Sequence, residues 1–177
     1  MTKLKEGFVQ VYTGNGKGKT TAAIGLAVRA AGFGLKTYVA QFMKEYPYNE
    51  INSLKYLREW ITLEQFGGDE FVYKKEFPSE DDIAKIKAGL EKAKEKMLSG
   101  NYDIIILDEA CVSIYFQLLS ENDILDFIKM KPKQVEIVIT GRYCPPAILS
   151  EADLVTEMKE VKHYYEKGIL SRRGIES

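Results

Sequence analysis

The run Phe8-Val9-Gln10-Val11-Tyr12 leads into Thr13-Gly14-Asn15-Gly16-Lys17-Gly18-Lys19-Thr20-Thr21 and on into Ala22-Ala23-Ile24-Gly25-Leu26-Ala27-Val28. An apolar strand, a glycine-rich turn and a helix start in that order form the context of a phosphate-cradling P-loop. Glycines allow backbone N–H groups to turn toward an anion, and the helix N-terminus adds partial positive charge. Lys19 is placed to reach phosphate oxygens, and the Thr20 hydroxyl to hold a magnesium ion. The usual spacing puts its first glycine where Thr13 stands; here the glycines fall at 14, 16 and 18 with Lys17 among them. Backbone freedom is thereby shifted toward the middle of the loop. The expectation is a nucleoside triphosphate site using Gly14, Asn15, Gly16, Lys17, Gly18, Lys19, Thr20 and Thr21.

Outward from this loop, strand-like runs recur at 8–13, 37–42, 61–66, 102–107, 135–140 and 154–156. Ile104-Ile105-Ile106-Leu107 and Ile137-Val138-Ile139 are unbroken apolar runs, the mark of strands covered on both faces. Helices are expected over 20–31, 49–60 and 80–98, the last capped by Ser79 and stopped at Gly100. Ser120 with Asp123 caps a further short helix, and Cys144-Pro145-Pro146-Ala147 opens another with proline in its first turn. Alternating strands and helices predict an α/β, three-layer sandwich around a mostly parallel sheet of about six strands, with ligands at the strands' carboxyl ends.

The 177 residues suit one domain spanning 1–177, and a net charge of −1 gives no field that recruits nucleic acid or anionic membrane. No apolar run approaches the roughly 18 residues of a membrane span, and the segment 1–7 lacks a signal-peptide core, so the cytoplasm is the expected location. Cys111 and Cys144 show neither a disulfide framework nor metal-ligand spacing, and His163 is the sole histidine. Dyads that pair cysteine with histidine therefore have little material here. The lysines at 85, 87, 92, 94 and 96, interleaved with Glu91 and Glu95, read as a solvated helix face.

Asp108-Glu109, directly after Ile104-Ile105-Ile106-Leu107, is a Walker B-like ending: a buried strand delivers carboxylates to its tip, where a metal on phosphates needs oxygen ligands. Spacing does not decide which of the two touches the metal. Arg29 lies nine residues after Thr20 on the same helix, and Arg142 ends the fifth strand; each is either a phosphate clamp or a solvated cation. The segment 67–78 fits no regular element and carries Phe71, Tyr73 and Phe77; long loops in compact domains are often functional.

The P-loop from Gly14 to Ala23 resembles that of the corrinoid adenosyltransferases, the RecA-like ATP:cob(I)alamin type. The resemblance continues in Val39-Ala40-Gln41-Phe42-Met43-Lys44, Leu107-Asp108-Glu109, Thr140-Gly141-Arg142 and Ala152-Asp153-Leu154-Val155-Thr156-Glu157-Met158. It closes with Val161-Lys162-His163 and Arg173-Gly174-Ile175-Glu176, so it spans almost the whole chain. It implies a P-loop NTPase fold and transfer of the 5′-deoxyadenosyl group of ATP to the cobalt of a reduced corrinoid, with triphosphate released. Cobalt(I) is then the nucleophile, which accounts for the absence of an evident protein nucleophile or general base.

The resemblance further implies catalytic roles for Lys19, Thr20 and Glu109, with Arg29 and Arg142 on ATP. Magnesium, or manganese, would be held by Thr20, Asp108 and Glu109. It also implies an electron donor such as a flavoprotein reductase, and a homodimer. The family carries a Phe-Thr-Trp element in the aromatic loop, where this chain has Phe71-Val72-Tyr73; these rings would exclude the lower axial ligand of cobalt(II) and ease its reduction. Tyr73 in place of tryptophan is a departure, and the longer N-terminal arm of some members is not seen ahead of Phe8. Two other classes share a P-loop. A small nucleoside or nucleotide kinase wants an arginine-rich lid, whereas the lid candidate here is aromatic and acidic. A RecA-like ATPase module would use Glu109 to activate water and Arg142 as a finger.

Overall fold

The computed structural model describes residues 4–44, 49–68, 70 and 77–176. Six strands, β1 (Val9–Thr13), β2 (Thr37–Phe42), β3 (Ile61–Phe66), β4 (Ile104–Asp108), β5 (Glu136–Thr140) and β6 (Leu154–Glu157), form one sheet in the order β3-β2-β4-β5-β1-β6. Every pairing is parallel, so all the carboxyl ends lie along one edge. Helices α1 (Lys19–Phe33), α2 (Asn49–Leu54), α3 (Glu80–Leu98), α4 (Ala110–Tyr115), α5 (Glu121–Lys129) and α6 (Pro146–Glu151) connect them.

The unbroken apolar strands serve two cores. Ile105 and Leu107 of β4, with Ile137 and Ile139 of β5, pack with α3 and α5 on one face. Ile104, Ile106 and Val138 point the other way, onto Ala23, Ala27, Ala30 and Ala31 of α1. Alternate side chains of a strand leave opposite faces, so a run with no polar residue is the sequence of a strand covered twice. The alanines of α1 let that helix sit close to the sheet. Only β6, at the sheet's edge, is exposed throughout.

Local chemistry sets the helix ends. Gly18 precedes α1 with φ 115°, and Gly34 ends it at φ 93°, the left-handed region that glycine enters at no steric cost. Ser79 and Asp82 form a reciprocal capping box at the start of α3, and Ser120 and Asp123 do so for α5. The helix expected over 49–60 is shorter: six residues of α2 are followed by a 3₁₀ turn at Lys55–Leu57. Helix α4 was not expected, because no capping side chain announces it; it begins at Glu109, whose backbone is itself left-handed at φ 62°. The lysine-rich face of α3 is solvated, with Lys92 paired to Glu95 at 3.0 Å and Lys94 to Glu91 at 3.3 Å.

Helix α3 lies so close to β3 that a Cβ on Gly89 would stand 2.4 Å from the Phe66 ring. Gly89→Val should therefore lower the stability by roughly 1–3 kcal/mol through overpacking. Urea unfolding checks this, and an unchanged midpoint would mean that the helix simply shifts outward.

Candidate functional site

The tips of β1, β2, β4 and β5 meet at one cleft. Three non-glycine residues just past strand ends adopt left-handed backbone: Met43 after β2 (φ 56°), Glu109 after β4 (φ 62°) and Tyr143 after β5 (φ 60°). Such conformations cost of order 1–3 kcal/mol and persist where the surroundings fix them. Here they turn the chain sharply beside Lys44, Glu109 and Arg142, all of which line the cleft.

The glycine-rich loop is braced from behind. The Met158 N–H donates to the Thr13 carbonyl at 2.8 Å, and the Gly16 N–H donates to the Met158 carbonyl at 2.6 Å. A Cβ on Gly14 or Gly16 would stand 2.5 or 2.6 Å from that same carbonyl oxygen, so both positions must be bare for the loop to lie against the segment after β6. Lys19 is buried, and its ammonium donates to the carbonyls of Gly14 at 2.9 Å and Gly16 at 2.7 Å. Burial pulls its pKa below the ordinary lysine value; Glu109 opposes this and Arg142 adds to it.

Asp108 is the hub. Its Oδ1 accepts from the Thr20 hydroxyl at 2.8 Å and the Thr140 hydroxyl at 2.7 Å. Its Oδ2 accepts from the Lys44 ammonium at 2.7 Å and the Gln41 amide at 3.2 Å. Four donors, from α1, β5, β2 and the turn after β2, thus share one fully buried carboxylate. Burial works against the Lys44 ammonium, yet the Asp108 carboxylate outweighs it, and the net pKa of Lys44 is raised. Glu109 accompanies Asp108 along the chain but not in this role: its backbone N–H donates to Thr140 Oγ at 3.0 Å while the residue itself lines the cleft. Burial, then the Asp108 charge, push its carboxyl pKa up.

Two adjoining hollows of about 510 and 260 Å³ share Lys17, Thr20, Thr21, Glu109, Arg142, Ile175 and Glu176 as lining, and make one continuous cleft. Gly16, Gly18 and Lys19 line its inner end, Lys44 and Glu50 its outer end. Asn15 is exposed at the loop tip and lines neither hollow. Arg29 is also set apart: it is exposed on α1, nine residues and about 13 Å along the axis from Thr20. Phe71 and Tyr73 lie outside the described residues. Sequence reasoning gave no role to Gln41 or Lys44, although both stand in a quoted run, and none to the contact of Lys17 with Glu176. Their partners are 67, 64 and 159 residues away, and only strand order or tail path brings them together.

The family model described as ATP:corrinoid adenosyltransferase BtuR/CobO/CobP matches residues 5–177. The chain is 34% identical to the corrinoid adenosyltransferase of Escherichia coli K12, over 97% of this chain and 86% of that protein. It is 31% identical to that of Pseudomonas aeruginosa, over 97% and 84%. It is 33% identical to the corrinoid adenosyltransferase CobA of Salmonella typhimurium, over 97% and 86%. Among solved structures, the flagellar accessory protein FlaH of Methanocaldococcus jannaschii superposes with a TM-score of 0.59 at 18% identity, over 87% of this chain and 72% of that one; this likeness concerns the fold alone. With a match running from residue 5 to the last residue and the paired strand-tip residues in place, the chain belongs to the ATP:corrinoid adenosyltransferase family.

Proposed function

We propose that the cleft at the carboxyl edge of the sheet is where this enzyme transfers the 5′-deoxyadenosyl group of ATP to a reduced corrinoid, with the 14–21 loop working as a RecA-like P-loop under the triphosphate. The activity itself follows from the family: the protein is an ATP:corrinoid adenosyltransferase of adenosylcobalamin biosynthesis or salvage. The observation that carries the site assignment is convergence. Lys19, Thr20, Glu109 and Arg142, from the glycine loop, α1 and the tips of β4 and β5, line one cleft.

In the reaction a cobalt–carbon bond forms at the ribose C5′ as the C5′–oxygen bond breaks, and the electron pair leaves on the triphosphate. The protein's task is to hold that leaving group and take up its charge. The loop N–H groups, the Lys19 ammonium and Arg142, which lines the same cleft, are the donors proposed for it. Holding C5′ in line with cobalt adds what proximity supplies, up to roughly 7–11 kcal/mol.

The oxygen donors present fit a hard divalent cation. Thr20 Oγ and Asp108 Oδ1 are 2.8 Å apart, and Glu109 stands at the same cleft. When bound, magnesium or manganese supplies further neutralisation of the departing triphosphate. Asp108 already accepts four protein hydrogen bonds, so Glu109 and Thr20 are the natural direct ligands, and Asp108 the carboxylate that fixes Thr20.

Analysis of the products tests the assignment. Incubation with ATP and a chemically reduced corrinoid should yield intact inorganic triphosphate, read by phosphorus NMR. ADP with phosphate would point to the ATPase reading, and a phosphorylated acceptor to the kinase reading.

Phe71 and Tyr73 are the proposed corrinoid contacts. Replacing both by alanine should cripple turnover from cobalt(II) corrinoid with a mild reductant, yet leave much of the rate from pre-formed cobalt(I). Equal losses from both starting states would make the rings packing residues. We further propose a homodimer that receives electrons from a flavoprotein-type reductase in the cytoplasm. Among the described residues no helix is long and apolar enough to cross a membrane.

A further inference from the structure

The C-terminal tail folds back onto the glycine loop and ends in a knot of charge. The Glu176 carboxylate accepts from the Lys17 ammonium at 2.8 Å, from the Arg172 backbone N–H at 2.7 Å, from the Arg172 guanidinium at 3.2 and 3.3 Å, and from the Tyr164 hydroxyl. Lys17 also donates to the Ile175 carbonyl at 3.1 Å and to Tyr164 Oη at 3.3 Å. The Arg172 guanidinium lies 4.8 Å from the centre of the Tyr164 ring. Glu176 and Ile175 line the same cleft as Thr20 and Arg142.

Two cations and a phenol converging on one carboxylate make a receptor for an oxyanion, because guanidinium and ammonium donors suit a carboxylate and a phosphate equally. Lys17 sits inside the loop that cradles the triphosphate, so this receptor adjoins the leaving group. The bonds to Arg172, then those to Lys17 and Tyr164, hold the Glu176 carboxyl well below the usual carboxylate range. An internal anion on Lys17 competes with any phosphate that needs the same ammonium.

We propose that Lys17, Arg172 and Tyr164 form an anion subsite at the end of the triphosphate channel, and that Glu176 occupies it as an internal stand-in which exchanges with the triphosphate. This rests on the reading of the 14–21 loop as the triphosphate cradle. Through this exchange the tail yields Lys17 when ATP enters and takes it back as triphosphate departs, so Glu176 limits how tightly the spent leaving group is retained.

The test is calorimetric binding of inorganic triphosphate to the full chain, with circular dichroism confirming that each variant folds. Glu176→Gln keeps the shape of the tail and removes the competing charge, and should tighten binding roughly three- to tenfold. Glu176→Ala should act in the same direction, while Arg172→Ala should weaken binding. In a Lys17→Ala background Glu176→Gln should tighten binding less than in the wild type, because only the Arg172 guanidinium and the Tyr164 hydroxyl remain to be freed. If Glu176→Gln leaves triphosphate affinity unchanged or weaker while the wild type binds well, the tail is only a wall of the cleft and the exchange is wrong. If the wild type binds no better than Lys19→Ala, the cradle reading itself fails, which separates the two.

Discussion

Lys19→Ala is expected to lower adenosyl transfer by roughly 10³-fold at saturating ATP, the upper end of what loss of one preorganised donor to developing charge costs. Two effects combine. The ammonium proposed to hold the triphosphate disappears, and with it the brace between the Gly14 and Gly16 carbonyls, at 2.9 and 2.7 Å. The fold should survive, because the loop keeps its backbone bond to Met158, and the thermal midpoint should move little. Lys19→Arg should not rescue, since a planar guanidinium does not fit the space that a point ammonium fills between two carbonyls. Near wild-type turnover of Lys19→Ala would remove the loop from the site.

Glu109→Gln separates function from stability. Loss of the carboxylate that faces the cleft should cut magnesium-dependent turnover by about 10²-fold. Glu91→Gln on α3, an exposed partner of Lys94, should stay close to the wild type, as surface pairs contribute little. The same Glu109 change should raise the thermal midpoint of the ligand-free protein. Burial, with the nearby Asp108 charge, gives folded Glu109 a pKa above that of the unfolded chain. Its contribution to stability is therefore full below the unfolded pKa and is lost as pH rises through the folded one. At about pH 7 the glutamine variant escapes that loss and should melt higher; the gap should narrow as pH falls and close only well below the unfolded glutamate pKa of about 4.3. A variant equally active but no more stable would make Glu109 an ordinary solvated strand end.

What the sequence disclosed, and what it withheld, follow from the range of the interactions. The six strands were legible because Ile104–Leu107 and Ile137–Ile139 feed two cores, and because side-chain caps at Ser79 and Ser120 act within three residues. Helix α4 escaped notice because its start is set by a left-handed Glu109 rather than by a capping side chain. Thr20 and Glu109 could be named from local pattern. That Asp108 is a hub, with Gln41, Lys44, Thr20 and Thr140 upon it, could not be, since β2 lies beside β4 only through the strand order. The grip of Glu176 on Lys17 is longer in range still and leaves no periodicity to read.

The place of β1 in the sheet has a consequence for the order in which the chain becomes competent. Although it is synthesised first, β1 lies between β5 and β6, with Val9 opposite Ile137 and Val11 opposite Val155. Its two neighbours leave the ribosome more than a hundred residues later, and the Met158 carbonyl that braces Gly16 follows them. Pairings so distant along the chain form late, because loop closure must come before they contribute. The nascent protein therefore carries its glycine loop unseated until β5, β6 and Met158 have emerged. A chain arrested before residue 158 would lack the Met158 brace on Gly16, and ATP is expected to stabilise the 177-residue chain but not such a truncated precursor.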